Sequence, residues 1–164
     1  MFKVQNTNYF QIPFLTRPFA IAKIVGGEES KETHGFVKFF SCKDGVLVLS
    51  EISNLPKTET NFFAIHIHEN GECDGDFSSA GGHYGEGTHP LHSGDLPPLL
   101  SASGTAISLV LTNRFTPSEI IGKSVIIHDG YDDFTTQPSG NSGARIACGV
   151  IKKKLSKTSR FLIP

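Results

Sequence analysis

Only three cysteines, Cys42, Cys73 and Cys148, occur in 164 residues, and no two are spaced as Cys-x-x-Cys. That excludes a disulfide-stapled miniprotein, a zinc ribbon and a thioredoxin-type redox motif. No run of eighteen apolar residues occurs, so a membrane-spanning helix is not expected. An excess of one charge is also missing. Fifteen Lys plus Arg stand against 16 Asp plus Glu, a formal net charge of −1, with no footprint for a nucleic-acid backbone and no polyanionic tail. Gly26-Gly27-Glu28-Glu29 is not followed by the Gly-Lys-Ser/Thr of a phosphate loop. Pro13, Arg17 and Pro18 interrupt the apolar N-terminal stretch, and Leu15-Thr16-Arg17 is not a small-residue cleavage site. A secretory signal is therefore not expected; the expectation is a cytoplasmic protein, with an exported or periplasmic one as the alternative.

What is present is apolar and rich in turns. Thirteen Phe, 38% hydrophobic and only 19% charged residues argue for a packed core rather than disorder, and 17 Gly with nine Pro argue for short elements. The length suits one domain. Strands are expected at 19–25, 35–41, 46–52, 62–68, 105–111, 123–128 and 145–151, with Cys42-Lys43-Asp44-Gly45 as a hairpin turn. A short helical piece is expected at 117–121. Many short strands between turns predict an all-β antiparallel sandwich or barrel. The segment 69–103 is a long Gly- and Pro-rich loop, which inside a compact domain is usually functional or disordered. Lys152-Lys153-Lys154 opens a basic tail that reads as a solvated end.

Six of the seven histidines fall between positions 66 and 128. In 62–68, Phe63, Ile65 and Ile67 form one face of a strand, and Ala64, His66 and His68 form the other. With the apolar face turned to the core, both imidazoles project from the outer wall. The strand 123–128 repeats the pattern, with Val125 and Ile127 on one face and His128 on the other. His83, His89, His92 and Asp95 lie within thirteen residues of the Gly- and Pro-rich loop. Three imidazoles and a carboxylate are a full tetrahedral set for zinc, and imidazole-rich sites suit copper. Two histidines on one strand are often mere surface polar positions, but so many potential ligands together make metal binding the stronger reading.

The segments Ala64-Ile65-His66-Ile67-His68-Glu69-Asn70-Gly71, Ser79-Ala80-Gly81-Gly82-His83-Tyr84, His92-Ser93-Gly94-Asp95-Leu96-Pro97 and Gly140-Asn141-Ser142-Gly143-Ala144-Arg145-Ile146-Ala147-Cys148-Gly149-Val150-Ile151 resemble copper/zinc superoxide dismutase, of the bacterial type with a short zinc loop. The resemblance implies an eight-stranded Greek-key β-barrel with long metal-binding loops. It also implies an N-terminal extension 1–18, a barrel domain 19–151 and a C-terminal tail 152–164. It implies copper held by His66, His68, His83 and His128, and zinc held by His83, His89, His92 and Asp95, with His83 shared. Asp132 corresponds to the carboxylate that joins a ligand of each metal, with Asp133 a one-residue ambiguity. Arg145 corresponds to the cation beside copper, and His83 and Arg145 to the catalytic groups. Cys73 and Cys148 correspond to the internal disulfide, leaving Cys42 free. Superoxide is the implied substrate, dismutated to dioxygen and hydrogen peroxide, with no nucleic-acid or membrane partner and a homodimer left open. The chain departs from the family pattern at Ala64, where Gly is usual, and in the close spacing of His89 and His92. The alternatives are a copper/zinc-binding protein of this fold without turnover, and a structural zinc module.

Overall fold

The computed structural model describes residues 17–154. Nine strands run in chain order: β1 (Ala20–Gly26), β2 (His34–Cys42), β3 (Gly45–Ser53), β4 (Phe62–Phe63), β5 (Ile65–His68), β6 (Leu99–Leu100), β7 (Ala106–Thr112), β8 (Ser124–His128) and β9 (Arg145–Lys153). Seven form one curled antiparallel sheet in the order β5-β8-β9-β1-β2-β3-β7, and β4 pairs with β6 separately. The expected all-β architecture is present, and treating β4 and β5 as one segment makes eight strands. No helix among the described residues is long and apolar enough to cross a membrane.

Period-two patterning builds the sheet. In β3 buried Val46, Val48, Ser50 and Ile52 alternate with half-buried neighbours, and in β1 Ala20, Ala22 and Ile24 face the same interior. β2 and β3 turn through Lys43 and Asp44, as the hairpin signal predicts, and pair from His34↔Ser53 to Cys42↔Gly45. Ile65, Ile67, Val125, Ile127, Ile146 and Ile151 join the core from β5, β8 and β9. Fully burying an Ile or Val contributes about 1.5–3 kcal/mol, so this sheet has an energy source independent of its loops.

Three features differ from the sequence reading. The expected strand 62–68 is split: β4 pairs with β6, a strand absent from the reading, whereas β5 pairs with β8. The switch falls at Ala64, whose N–H donates to Gly130 O and whose carbonyl accepts from His128 N–H. Ala64 is fully buried there. The expected helical piece 117–121 is a series of turns, because so short a segment cannot offset the cost of a helical nucleus. Short 3₁₀ turns occur instead at Glu28–Ser30 and Ser78–Ala80. β9 continues through Lys153, with Lys152 and Lys153 exposed. The N-terminal extension and tail otherwise lie almost entirely outside the described residues.

Candidate metal centre

β5 and β8 sit side by side, with His66↔Ile126 and Ile65↔Ile127 in register. The isoleucines of β5 enter the core, so alternation sends His66 and His68 to the opposite face. There they are buried, at 0% and 1% exposure, beneath the loop that follows. His128 ends β8 at a register shift and pairs with Arg145 of β9. The sheet thereby delivers three imidazoles and one guanidinium to one patch.

The loop 69–98 folds back along β5. Ile67 N–H donates to Gly94 O, Tyr84 N–H donates to Ile67 O, and Gly94 N–H donates to Tyr84 O. Position 94 must be glycine here, since a Cβ would collide with the Ile67 carbonyl. This docking sets His83 opposite His68 and Asp95 opposite His66. The His66 and His83 rings lie 4.0 Å apart, centroid to centroid.

Two groups of ligand atoms result. His66, His68, His83 and His128 each offer a ring nitrogen, and the four lie within 4.8 Å of one another; so do ligand atoms of His66, His83, His89 and Asp95. All seven predicted metal-binding side chains therefore converge, but His92 borders the second group rather than entering it. Its N–H donates to Asp95 Oδ2 at 3.0 Å, and its Nδ1 lies 3.2 Å from the same oxygen. His66 stands between the groups instead, against His83.

Each of five rings is held by one nitrogen. His66 Nε2 donates to Asp132 Oδ2 (2.9 Å), His68 Nδ1 to Gly81 O (3.0 Å), and His83 Nδ1 to Asp95 Oδ1 (2.7 Å). His89 Nε2 donates to Asp132 Oδ1 (2.7 Å), and His128 Nδ1 to Gly143 O (3.3 Å). The opposite nitrogens are His66 Nδ1, His68 Nε2, His83 Nε2, His89 Nδ1 and His128 Nε2. All five are buried and find no hydrogen-bond partner among the described residues. A buried polar atom without a partner costs about 1–3 kcal/mol. These five lone pairs form a donor set for metal ions, with outer acceptors fixing the orientation of His66, His68, His89 and His128 and Asp95, a member of the second group, fixing His83. Four imidazoles suit copper, and imidazoles with a carboxylate suit zinc, so the residues present fit both.

Burial keeps His66, His68 and His128 neutral. Burial first, with neighbouring charge from His83 and Arg145 adding to it, lowers the pKa of His68 to about 2 and that of His128 to about 3. Burial acts to raise Asp95, but the His83 hydrogen bond and the electrostatic pull of the neighbouring imidazoles outweigh it and hold the carboxyl at about 2. The carboxylate joining the two groups is Asp132, which accepts from His66 and His89. Asp133 turns away and caps Thr135 and Thr136.

Arg145 stands at the rim. Its Nη1 donates to Phe77 O at 2.6 Å and its Nη2 to Gly81 O at 2.7 Å, the same carbonyl that holds His68. The open cleft in front of it is also lined by Glu28, Glu29 and Asp76. A Cys73–Cys148 disulfide ties the loop to β9 across 75 residues of sequence, and Cys42 is free. The sequence reading missed the Gly81 and Gly143 carbonyls, because a backbone acceptor leaves no mark in residue type.

The family model of copper/zinc superoxide dismutase matches residues 33–151. Superoxide dismutase [Cu-Zn] 1 of Aquifex aeolicus is 35% identical over 139 residues, covering 74% of this chain and 81% of its own. Superoxide dismutase [Cu-Zn] of Photobacterium leiognathi is 37% identical over 138 residues, covering 72% and 78%. Among solved structures, a superoxide dismutase-like protein from Bacillus subtilis superposes with a TM-score of 0.67 at 30% identity, covering 79% of this chain and 95% of that one. The buried imidazole cluster, the curled sheet and these matches agree: the chain belongs to the copper/zinc superoxide dismutase family of oxidoreductases.

Proposed function

We propose that this protein dismutates superoxide, with copper held by His66, His68, His83 and His128 and zinc by His83, His89, His92 and Asp95. The five buried ring nitrogens without partners carry this reading, because lone pairs gathered so closely are what a bound cation satisfies. Copper, when bound, supplies the one-electron couple through which one superoxide is oxidised to dioxygen and another, with two protons, is reduced to hydrogen peroxide.

The chain's own groups orient, exclude and attract. Asp132 and the Gly81 and Gly143 carbonyls lock His66, His68 and His128 so that their free nitrogens converge. Burial of those rings keeps bulk water off the ligand atoms. His83, like His66, belongs to both groups, with its Nε2 left free and its Nδ1 toward Asp95, and is the ring the proposal assigns to both metals. Its Nε2 is the atom that holds and releases a proton during turnover. Arg145, pinned by two carbonyls, offers a fixed cation and N–H donors to a small anion. Glu28, Glu29 and Asp76 oppose it in the same cleft, so the attraction rests on this one arginine. The Cys73–Cys148 bond favours an oxidising compartment, which supports export over the cytoplasmic expectation.

Elemental analysis of the purified protein, run beside a superoxide-consumption assay, tests the proposal. Bound copper and zinc with rapid consumption are expected. Metal uptake without rate acceleration overturns it in favour of a binding protein. Arg145→Ala is expected to lower the rate about tenfold and to abolish its decline with ionic strength; an unchanged salt profile removes the arginine's role.

A further inference from the structure

Gln137 belongs to no ligand set, yet both functions of its side-chain amide address one residue 48 positions earlier. His89 N–H donates to Gln137 Oε1 at 3.0 Å, and Gln137 Nε2 donates to His89 O at 2.7 Å. The amide pairs with the His89 backbone as a neighbouring strand would, filling both of its hydrogen-bonding groups. The same loop, 129–144, also holds the His89 ring, through Asp132 Oδ1. Gly140, at φ +68°, packs its backbone against that hydrogen bond; a Cβ there would collide with Asp132 Oδ1 and His89 Nε2. His89 is thus gripped by backbone and ring from a single loop, and its Nδ1 is left unpartnered and buried, toward Asp95 at 3.3 Å. The second group has no comparable support at His92, whose ring is half-buried and whose contacts are to Asp95 and, through its carbonyl, Arg114.

We propose that Gln137 is a positioning residue for the second metal group, clamping the His89 backbone so that Nδ1 meets Asp95 and His83 in ligand geometry. The inference rests on the assignment of His89 to zinc in the proposed function. Gln137 is exposed on its outer side, so water can replace part of the clamp and its loss is graded rather than total. Gln137 makes its side-chain hydrogen bonds to His89 and Thr135 and to none of the first group's His66, His68, His83 and His128, so its loss falls on the second group.

The test uses the full chain and two variants. Gln137→Met preserves bulk and removes both hydrogen bonds; Gln137→Ala removes bulk as well. Zinc and copper affinities are measured separately by competition with chromophoric chelators, and cobalt(II) absorption reports geometry at the second group. Both variants are expected to bind zinc about tenfold more weakly, with copper affinity unchanged and the cobalt bands shifted. Zinc affinity kept by Gln137→Met within about twofold overturns the clamp, since outer partners of metal ligands ordinarily matter more than that. So does a parallel fall of both affinities with the melting temperature of the metal-free protein, which marks an ordinary folding contact. A wild-type chain that binds zinc tightly without dismutating superoxide overturns the proposed function, whereas the clamp is decided by the two affinities alone.

Discussion

The sheet and the two loops laid across it hold the same centre by different means. His66, His68, His128 and Arg145 stand on β5, β8 and β9, whose other faces are anchored by Ile65, Ile67, Val125, Ile127 and Ile146 in the core. Their positions follow from apolar burial and ladder pairing, which need no metal. His83, His89, His92, Asp95 and Asp132 stand on loops 69–98 and 129–144, outside any of the strands. They are held by side-chain hydrogen bonds, a disulfide and backbone docking onto β5. Half of the centre is therefore preformed by the fold, and half depends on polar contacts that water can contest.

The largest break in this comparison is at His83, the loop residue that joins both groups. His83→Ala should lower activity at least about 100-fold, more than loss of an outer partner, while leaving the sheet intact. Activity per bound copper and far-UV circular dichroism check it, and activity near wild type removes the shared role. Next is the tie between the regions. Reducing Cys73–Cys148, which spans 75 residues, should destabilise the protein by about 2–4 kcal/mol. Hydrogen exchange should show amides of 69–98 released before those of β1, β2 and β3; equal protection of both would show that the bond does not restrain the loop.

A graded effect, small at each step of pH, separates metal-free from loaded protein. His68 and His128 are neutral in the fold, with pKa values lowered to about 2 and about 3 from the ordinary 6.5. Unfolding raises these values, so the unfolded chain binds more protons below pH 6.5 and stability falls with pH there. The metal-free protein should lose roughly 1 kcal/mol per histidine per pH unit between about pH 6 and pH 4. Denaturant melts across that range test this, and a flat profile would mean that the rings are not buried neutral.

The strand alternation of Phe63, Ile65 and Ile67 against His66 and His68 was legible because period two is local, and β2 and β3 were legible from Asp-Gly at their turn. The break at Ala64 was not, because it depends on which strand lies opposite: β6 for Phe62 and Phe63, β8 from Ile65 onward. The resemblance pointed to Asp132 or Asp133, and only the loop's path shows which of the two faces His66 and His89. Gln137 carries no sequence signal at all, since an amide in a turn-rich loop looks like any surface residue.

Residue types and their order by themselves determined the all-β class, the two histidine-bearing strand faces and the kinds of ligand available, since each depends on neighbours along the chain. Tertiary structure decided that His66 stands between the groups and His92 at their border, that Asp132 joins them, and that Gly81 O serves both His68 and Arg145. Those outcomes are distances of a few ångströms between residues far apart in sequence, set by how loops 69–98 and 129–144 dock on a sheet folded by its own apolar burial.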